Sequence, residues 1–182
     1  MEKTVSSSKA GMTYGLYLGV ISIVFTLVIY LAGMVGESFV TWISLAISIG
    51  FVSWAMINFR DKQNDGFLPY KQGVGLGFMT CFIGGVISAI FTYILFQFID
   101  PGLVEQLVQK GLEEAIQKNP EVEGNIEMVE SMTRKFMNPP VMAIMGVFSS
   151  AIFGIIISLI LAAIFKKDKP MFEEETQEAA EA

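Results

Sequence analysis

Histidine is absent from this chain of 182 residues, and cysteine occurs once, at Cys81. Without histidine the chain lacks the side chain that most often serves as a general base, a metal ligand or a pH sensor near neutrality. A single cysteine excludes an internal disulfide and a thiolate metal site. We therefore expect no metal site and no cofactor.

Charge is also scarce, and it is missing altogether from four long stretches. Only 16% of the residues are charged, against about 25% in a typical soluble domain. Residues 12–35, 39–59, 73–98 and 140–165 contain no Asp, Glu, Lys or Arg. Apolar runs of about 18 residues or more predict helices that span a bilayer, because a helix satisfies its own backbone there. The sequence therefore predicts an all-α fold, an integral membrane four-helix bundle.

The lack of charge within these stretches also narrows the function. Ion paths and proton relays usually depend on ionisable side chains inside the membrane. Their absence argues against a cation channel and a proton-coupled transporter, and leaves transport of a neutral or lipid-like solute open. The first stretch is longer than the apolar core of a signal peptide, so we expect it to be retained as a helix.

Lys and Arg positions predict the orientation of the chain. Cytoplasmic ends of membrane helices carry an excess of these residues. Eight of them flank the same side of the four predicted helices, namely Lys3, Lys9, Arg60, Lys62, Lys71, Lys166, Lys167 and Lys169. The connection at 36–38 has none, and the one at 99–139 is rich in acidic residues. We expect both termini to be cytoplasmic and the protein to lie in the cytoplasmic (inner) membrane.

The connection between the third and fourth stretches is predicted to be structured. Asp100 and Pro101 are typical of a helix start, and apolar residues from Leu103 to Ile116 then recur at helical spacing. A second, shorter pattern follows before Asn138. Residues 100–138 therefore predict an extracytoplasmic amphipathic helical hairpin. Its apolar side either packs on the bundle or docks a partner, and both alternatives stay open at this stage.

The two ends of the chain lie outside this membrane domain, which covers residues 12–165. Residues 1–11 form a predicted cytoplasmic arm with a run of three serines. Residues 166–182 begin with lysines and continue as an acidic run without periodicity, which is typical of disorder. The net charge of −6 argues against nucleic acid as a partner.

Small residues recur every four positions along the predicted membrane helices. Helices in lipid associate through close backbone approach at such positions. The helix-packing residues that we predict are Gly11, Gly15, Gly19, Gly77, Gly85, Gly146, Ser150, Gly154 and Ser158. The second helix has a related stripe of Thr41, Ser44 and Ser48. Whether the stripes pack within one chain or between two chains of a dimer is left open by the pattern.

Motifs for enzymatic chemistry are incomplete in this sequence. The glycines from Gly73 to Gly77 follow no predicted strand, so they do not form a dinucleotide-binding loop. Asp61 and Asp65 suggest a calcium loop, but Gln72 stands where its last carboxylate ligand is required. The acidic residues of the outer segment fit a solvated helix face. We expect no catalytic residues, no cofactor-binding residues and no enzymatic activity.

Several short segments resemble a known family. They are FTYILFQFIDP at 91–101, KFMNPP at 135–140, IFGIIISLI at 152–160, KAG at 9–11 and YKQG at 70–73. Together they resemble the bacterial family catalogued as domain of unknown function 4199, over about residues 5 to 170. The resemblance implies a small four-helix inner-membrane protein and carries over no catalytic or ligand-binding residue.

These observations lead to two hypotheses about function. The first is a non-enzymatic accessory or scaffold subunit of an envelope process, which acts through helix packing and its outer hairpin on a membrane-protein partner. The alternative is a small transporter or lipid-handling carrier that acts as a dimer, suggested by the glycine-rich third helix. Both place the chain in the lipid bilayer, and a homo-oligomer is compatible with either.

Overall fold

The computed structural model describes residues 6–118 and 124–168, and these residues are almost entirely helical. The helices are α1 (Ser7–Leu31), α2 (Ser38–Gln63), α3 (Tyr70–Ile94), α4 (Gly102–Lys118), α5 (Ile126–Phe136) and α6 (Pro139–Phe165). A π-helical segment, Leu95–Ile99, continues α3 directly. The predicted acidic tail lies outside the described residues, except for its first three.

Four of these helices confirm the predicted all-α fold with membrane-spanning segments. By length and composition α1, α2, α6 and the helix Tyr70–Ile99 are apolar enough to cross a membrane. Their composition and length identify a multi-pass membrane protein. The uncharged stretches are covered in full by α2, α6 and the helix Tyr70–Ile99, whereas α1 begins before its stretch and ends at Leu31.

The start of α1 corrects the predicted boundary of the N-terminal arm. We predicted an arm over residues 1–11, but the helix begins at Ser7, and both Ala10 and Gly11 are buried. Their small side chains allow the first turns of α1 to lie directly against α3. Residues 1–5 lie outside the described part of the chain.

Helix α3 is the centre of the bundle and packs along its length against both α1 and α6. Helix α2 is attached differently. Its buried residues, Val52, Ala55, Met56 and Phe59, all lie in its second half. The first half, which begins at Ser38, has no fully buried residue. Helix α2 is therefore held to the bundle at one end and separates from it toward the other.

The second half of α2, which we call its closed end, packs into the most buried part of the core. Val52, Met56 and Phe59 are completely inaccessible, and they join Leu76 and Leu161 in one apolar cluster. Next to this cluster, Leu68 and Lys167 exchange two backbone hydrogen bonds of 2.7 and 2.9 Å. These bonds join the α2–α3 connection to the end of α6 and fix this end of the bundle.

Helix α4 lies at the opposite end of the bundle, which we call the α4 end. The Asp100 carboxylate caps the helix by accepting the Gly102 amide at 3.1 Å, and it also accepts the Tyr30 hydroxyl at 3.3 Å. Leu103 and Val108 are buried. Gly36 has a φ of +82°, and a Cβ at Gly36 would overlap the Leu107 side chain. Helix α4 therefore packs over the α1–α2 connection, which is the first of the two alternatives for its apolar side.

Helix α5 differs from α4, because none of its residues is fully buried. Arg134 on α5 donates two hydrogen bonds of 2.7 Å to the two carboxylate oxygens of Glu105 on α4. It also donates to Glu130 at 2.9 Å. A bidentate pair of this kind fixes orientation as well as distance. This guanidinium therefore holds α5 against α4.

This ion pair predicts that the contact between α4 and α5 weakens in acid. The hydrogen bonds and charge of Arg134 lower the pKa of the Glu105 carboxyl from its ordinary value of 4.5. A lowered pKa means that the contact is stabilised above pH 4.5 and loses this stabilisation as the pH falls through the lowered pKa. We expect hydrogen exchange of the α5 amides, corrected for intrinsic rates, to accelerate in that range. A Glu105→Gln variant should show fast exchange at every pH, and a wild-type profile in this variant would contradict the assignment.

Candidate functional site

The small-residue stripes of α3 and α6 face each other in antiparallel register. The facing pairs, spaced four residues apart, are Gly73 with Ala162, Gly77 with Ser158, Cys81 with Gly154, Gly85 with Ser150 and Ala89 with Gly146. A Cβ at Gly77 would lie 2.7 Å from the Ser158 Cβ, and one at Gly154 would lie 2.7 Å from the Cys81 Cβ. At Gly85 an added Cβ would overlap Ser150. The two backbones therefore approach too closely for larger side chains.

The two helices are further apart at the last pair of this stripe. Gly146 is exposed, and a Cβ there would meet only the Ala89 Cβ, at 3.9 Å, which is ordinary van der Waals contact. Gly146 thus lies on the same line of contact as the other predicted residues of α6, at its looser end.

The glycines of α1 contact α3 in parallel register. The facing pairs are Gly11 with Met79, Gly15 with Ile83 and Gly19 with Ile87, and an added Cβ would lie 2.7 to 2.8 Å from the Cβ of each partner. The buried Thr80 hydroxyl lies 3.4 Å from the Gly11 carbonyl oxygen and donates to the Leu76 carbonyl at 2.8 Å. The nine residues that we predicted for helix packing therefore all lie in the contacts of α3 with α1 or with α6. These contacts are within one chain.

The stripe of α2 has a different environment. We predicted Thr41, Ser44 and Ser48 to pack against a neighbouring helix. In the structure these residues lie in the first half of α2, where it separates from the bundle, and they line a cavity of about 330 Å³. We call this cavity the α2 cleft. It is bounded by α2 on one side and by α1, α3 and α6 on the other.

Hydroxyl groups are the main polar feature of the α2 cleft. Those that line it are Ser22, Thr26, Thr41, Ser44, Ser48, Ser88 and Ser150. The remaining wall is apolar and includes Leu18, Phe25 and Ile157. Of the described residues that line the cleft, none carries a charge. The cleft is therefore an apolar space with a series of neutral hydrogen-bonding groups.

Most of these hydroxyls already use their proton within their own helix. Ser22 donates to the Leu18 carbonyl at 2.9 Å, and Ser48 donates to the Ser44 carbonyl at 2.9 Å. Thr26, Ser44 and Ser150 make equivalent bonds. A hydroxyl oxygen that donates in this way keeps its acceptor lone pairs. The cleft therefore presents hydrogen-bond acceptors to a ligand without leaving a buried donor unsatisfied.

Two further cavities extend the α2 cleft toward the α4 end. A bridging cavity of about 160 Å³ shares Phe25, Thr26 and Ser44 with the cleft. A cavity of about 460 Å³ next to α4, the α4 cavity, shares Thr41 and Ser44 with the cleft. All three meet at Ser44. They form a series of adjoining spaces along α2 that runs from the middle of the bundle to its α4 end.

The α4 cavity is the charged part of this series. Glu37, Lys110 and Glu114 line it. The Lys110 ammonium lies 2.6 Å from a carboxylate oxygen of Glu37, and both side chains are partly exposed, at 34% and 46%. The series of cavities therefore changes from apolar and neutral inside the bundle to charged at its end.

Sequence reasoning did not detect this site, although part of its signal was visible. Ser and Thr at four-residue spacing in α2 were interpreted as a packing stripe, and Ser22 and Thr26 in α1 were not singled out. These hydroxyls repeat on one face of each uncharged helix, which is a detectable pattern. Only the angle of α2 relative to α3 decides whether such a face contacts a helix or an open space.

Comparison with known proteins places the chain in a family without assigning an activity. No match was found among the curated proteins, and none among the solved structures. A family model described as protein of unknown function (DUF4199) matches residues 13–167, which include most of α1 and all of α2 to α6. This match confirms the resemblance noted in the sequence. The chain therefore belongs to the DUF4199 family of proteins of unknown function.

Proposed function

We propose that this multi-pass membrane protein is a non-enzymatic lipid-handling protein that holds one membrane lipid in the α2 cleft. The observation that carries the proposal is the series of three adjoining cavities along the first half of α2. An apolar space that ends in a charged cavity matches a molecule with an apolar chain and a polar end. The volume of the α2 cleft lies within the range of about 300 to 1,000 Å³ that is usual for ligand sites.

The chemistry of the cleft supports binding rather than reaction. Hydroxyls that donate to backbone carbonyls need a neighbouring base before they act as nucleophiles. The residues that line the α2 cleft supply acceptors and apolar contacts. The Cys81 side chain at its wall packs against Gly154 in the close contact between α3 and α6. Because these hydroxyl oxygens act as acceptors, they suit hydroxyl or amide groups that donate near the top of a lipid chain, where a few hydrogen bonds orient the molecule.

The orientation of the protein assigns each end of the cleft to one side of the membrane. Lys and Arg flank the closed end of α2, as Arg60 and Lys62 in its last turn, and the positive-inside rule assigns that end to the cytoplasm. On this assignment the protein lies in the cytoplasmic (inner) membrane of a bacterium with both termini inside. The α4 end is then extracytoplasmic, and the three cavities lie in the outer leaflet. The bound lipid enters from that leaflet.

We expect Ser48→Leu to weaken the binding of lipid in the α2 cleft. Ser48 lines the α2 cleft, so a leucine there occupies the space of the lipid chain. Displacing a packed chain costs about 1–3 kcal/mol, so lipid retention should fall about tenfold. Native mass spectrometry of protein extracted gently from its own membrane measures the retained lipid directly.

The matched control is Ser53→Leu on the same helix. Ser53 donates to the Ile49 carbonyl in the same way and lines none of the three cavities described above. This variant should retain lipid like the wild type. Equal retention by wild type and both variants would show that the lipid is a general annular lipid and would overturn the proposal.

A second candidate is an accessory or scaffold subunit, and the observation that favours it is the apolar side of α5. Met128, Met132 and Phe136 recur every four residues and are 64%, 53% and 55% exposed. Such a side is typical of contact with another membrane protein or with the lipid interface. The same mass spectra distinguish the two candidates. A retained second polypeptide supports an accessory subunit, whereas a single chain with a defined lipid supports lipid handling.

A further inference from the structure

The α4 cavity contains charges of both signs within a short distance. Its lining residues include Glu37 and Glu114, which supply carboxylates, and Lys110, which supplies one ammonium. Lys110 contacts Glu37 at 2.6 Å, and Glu114 contacts Lys118, which does not line the cavity, at 3.4 Å. An ammonium has three donors, so Lys110 keeps donor capacity beyond the Glu37 contact. The charges at this cavity therefore form two ion pairs, Lys110 with Glu37 and Lys118 with Glu114, which present groups of both signs to a ligand.

This charged cavity lies beside the α2 cleft, because Thr41 and Ser44 line both. A lipid whose chain lies in the cleft can place its headgroup in this neighbouring cavity. The cavity holds about 460 Å³, which is within the usual range for a ligand group. The charges of the cavity then select the headgroup.

We propose that the α4 cavity is a headgroup site for a zwitterionic phospholipid, and this inference rests on the proposed lipid-handling function. The headgroup phosphate binds at Lys110, and its ammonium binds at Glu114 and Glu37. The two carboxylates are balanced by Lys110 and by Lys118, so this end of the bundle matches a headgroup with one charge of each sign. A headgroup that carries only negative charge meets Glu37 and Glu114 without an ammonium of its own. Sites that attract anionic lipids instead present clusters of Lys and Arg.

The test compares two phospholipids in one sample. Purified protein is incubated in detergent with equal amounts of phosphatidylethanolamine and phosphatidylglycerol of the same chain length, and native mass spectrometry counts the lipid retained. Partly exposed charge pairs contribute little, so we expect the wild type to prefer phosphatidylethanolamine about threefold. Glu114→Lys changes one carboxylate of the cavity to an ammonium and should reverse the preference.

Glu113→Lys is the matched control, because it makes the same change of net charge at the neighbouring exposed position, outside the lining of the α4 cavity. It should keep the wild-type preference. Equal retention of the two lipids by the wild type, or the same reversal in both variants, would overturn the headgroup site while leaving lipid binding in the cleft intact. Loss of the difference between Ser48→Leu and Ser53→Leu would instead overturn the proposed function, and the headgroup site with it.

Discussion

A variant with Ala89→Cys and Gly146→Cys is expected to form an intrachain disulfide in nearly every molecule. A Cβ at Gly146 would lie 3.9 Å from the Ala89 Cβ, and disulfides require a Cβ separation of about 3.8 Å. The other facing pairs of α3 and α6 are too close for this bond. The native Cys81 is replaced by alanine, so that the two new cysteines are the only thiols.

The measurement is thiol labelling of the oxidised protein followed by intact mass. The expected variant has no free thiol before reduction and two afterwards. Ile90→Cys with Gly146→Cys is the control, because Ile90 is 56% exposed and lies one residue away from the line of contact. It should remain reduced. A disulfide that instead joins two chains, seen as a dimer on a non-reducing gel, would show that the stripe is an interface between copies.

The second large effect is expected for Gly154→Leu, which should destabilise the bundle. Gly154 is buried, and even a Cβ at this position would lie 2.7 Å from the Cys81 Cβ. A leucine adds three further carbon atoms, so α3 and α6 must separate. Overpacking of this kind costs about 1–3 kcal/mol in the free energy of unfolding. Thermal unfolding in a mild detergent measures the loss.

Gly50→Leu is the matched control for this prediction. Gly50 is an exposed glycine inside a membrane helix, and a Cβ there would meet nothing within 4 Å. The same substitution should therefore leave stability unchanged or raise it slightly, since glycine is about 1 kcal/mol less favourable than alanine in a helix. If Gly154→Leu melts like Gly50→Leu, the close approach of α3 and α6 is wrong.

Much of the helical architecture follows from local sequence properties. The uncharged stretches predicted the four long helices, because a membrane segment without charge has few alternatives to a helix. The boundaries were less accurate. The residues from Ser7 to Gly11 are only partly apolar, yet they are helical because α3 covers Ala10 and Gly11. At the other end of α3, the backbone changes to a π-helical segment at Leu95, which no local pattern indicated.

The glycine stripes also contain information about which helices pack together. The four-residue spacing of Gly11, Gly15 and Gly19 predicts a flat helix face that permits close approach. The spacing alone does not select the partner helix. In the structure α3 contacts the stripe of α1 through Met79, Ile83 and Ile87, and the stripe of α6 through its own small residues. These two sets of residues lie on different faces of α3. The register of each contact is a property of two helices together.

The sequence by itself determined that four of the described helices are long and apolar enough to cross a membrane, that their central stretches are uncharged and that small residues line them. Each of these properties depends on composition and on periodicity within one helix. The tertiary structure decided that Ser44 and Ser48 line a cleft, because the buried residues of α2, from Val52 to Phe59, all lie in its second half. It also decided that Glu37 and Lys110, which are far apart in sequence, meet at the end of that cleft. Such a site depends on the angles between helices, and those angles result from packing across the whole bundle.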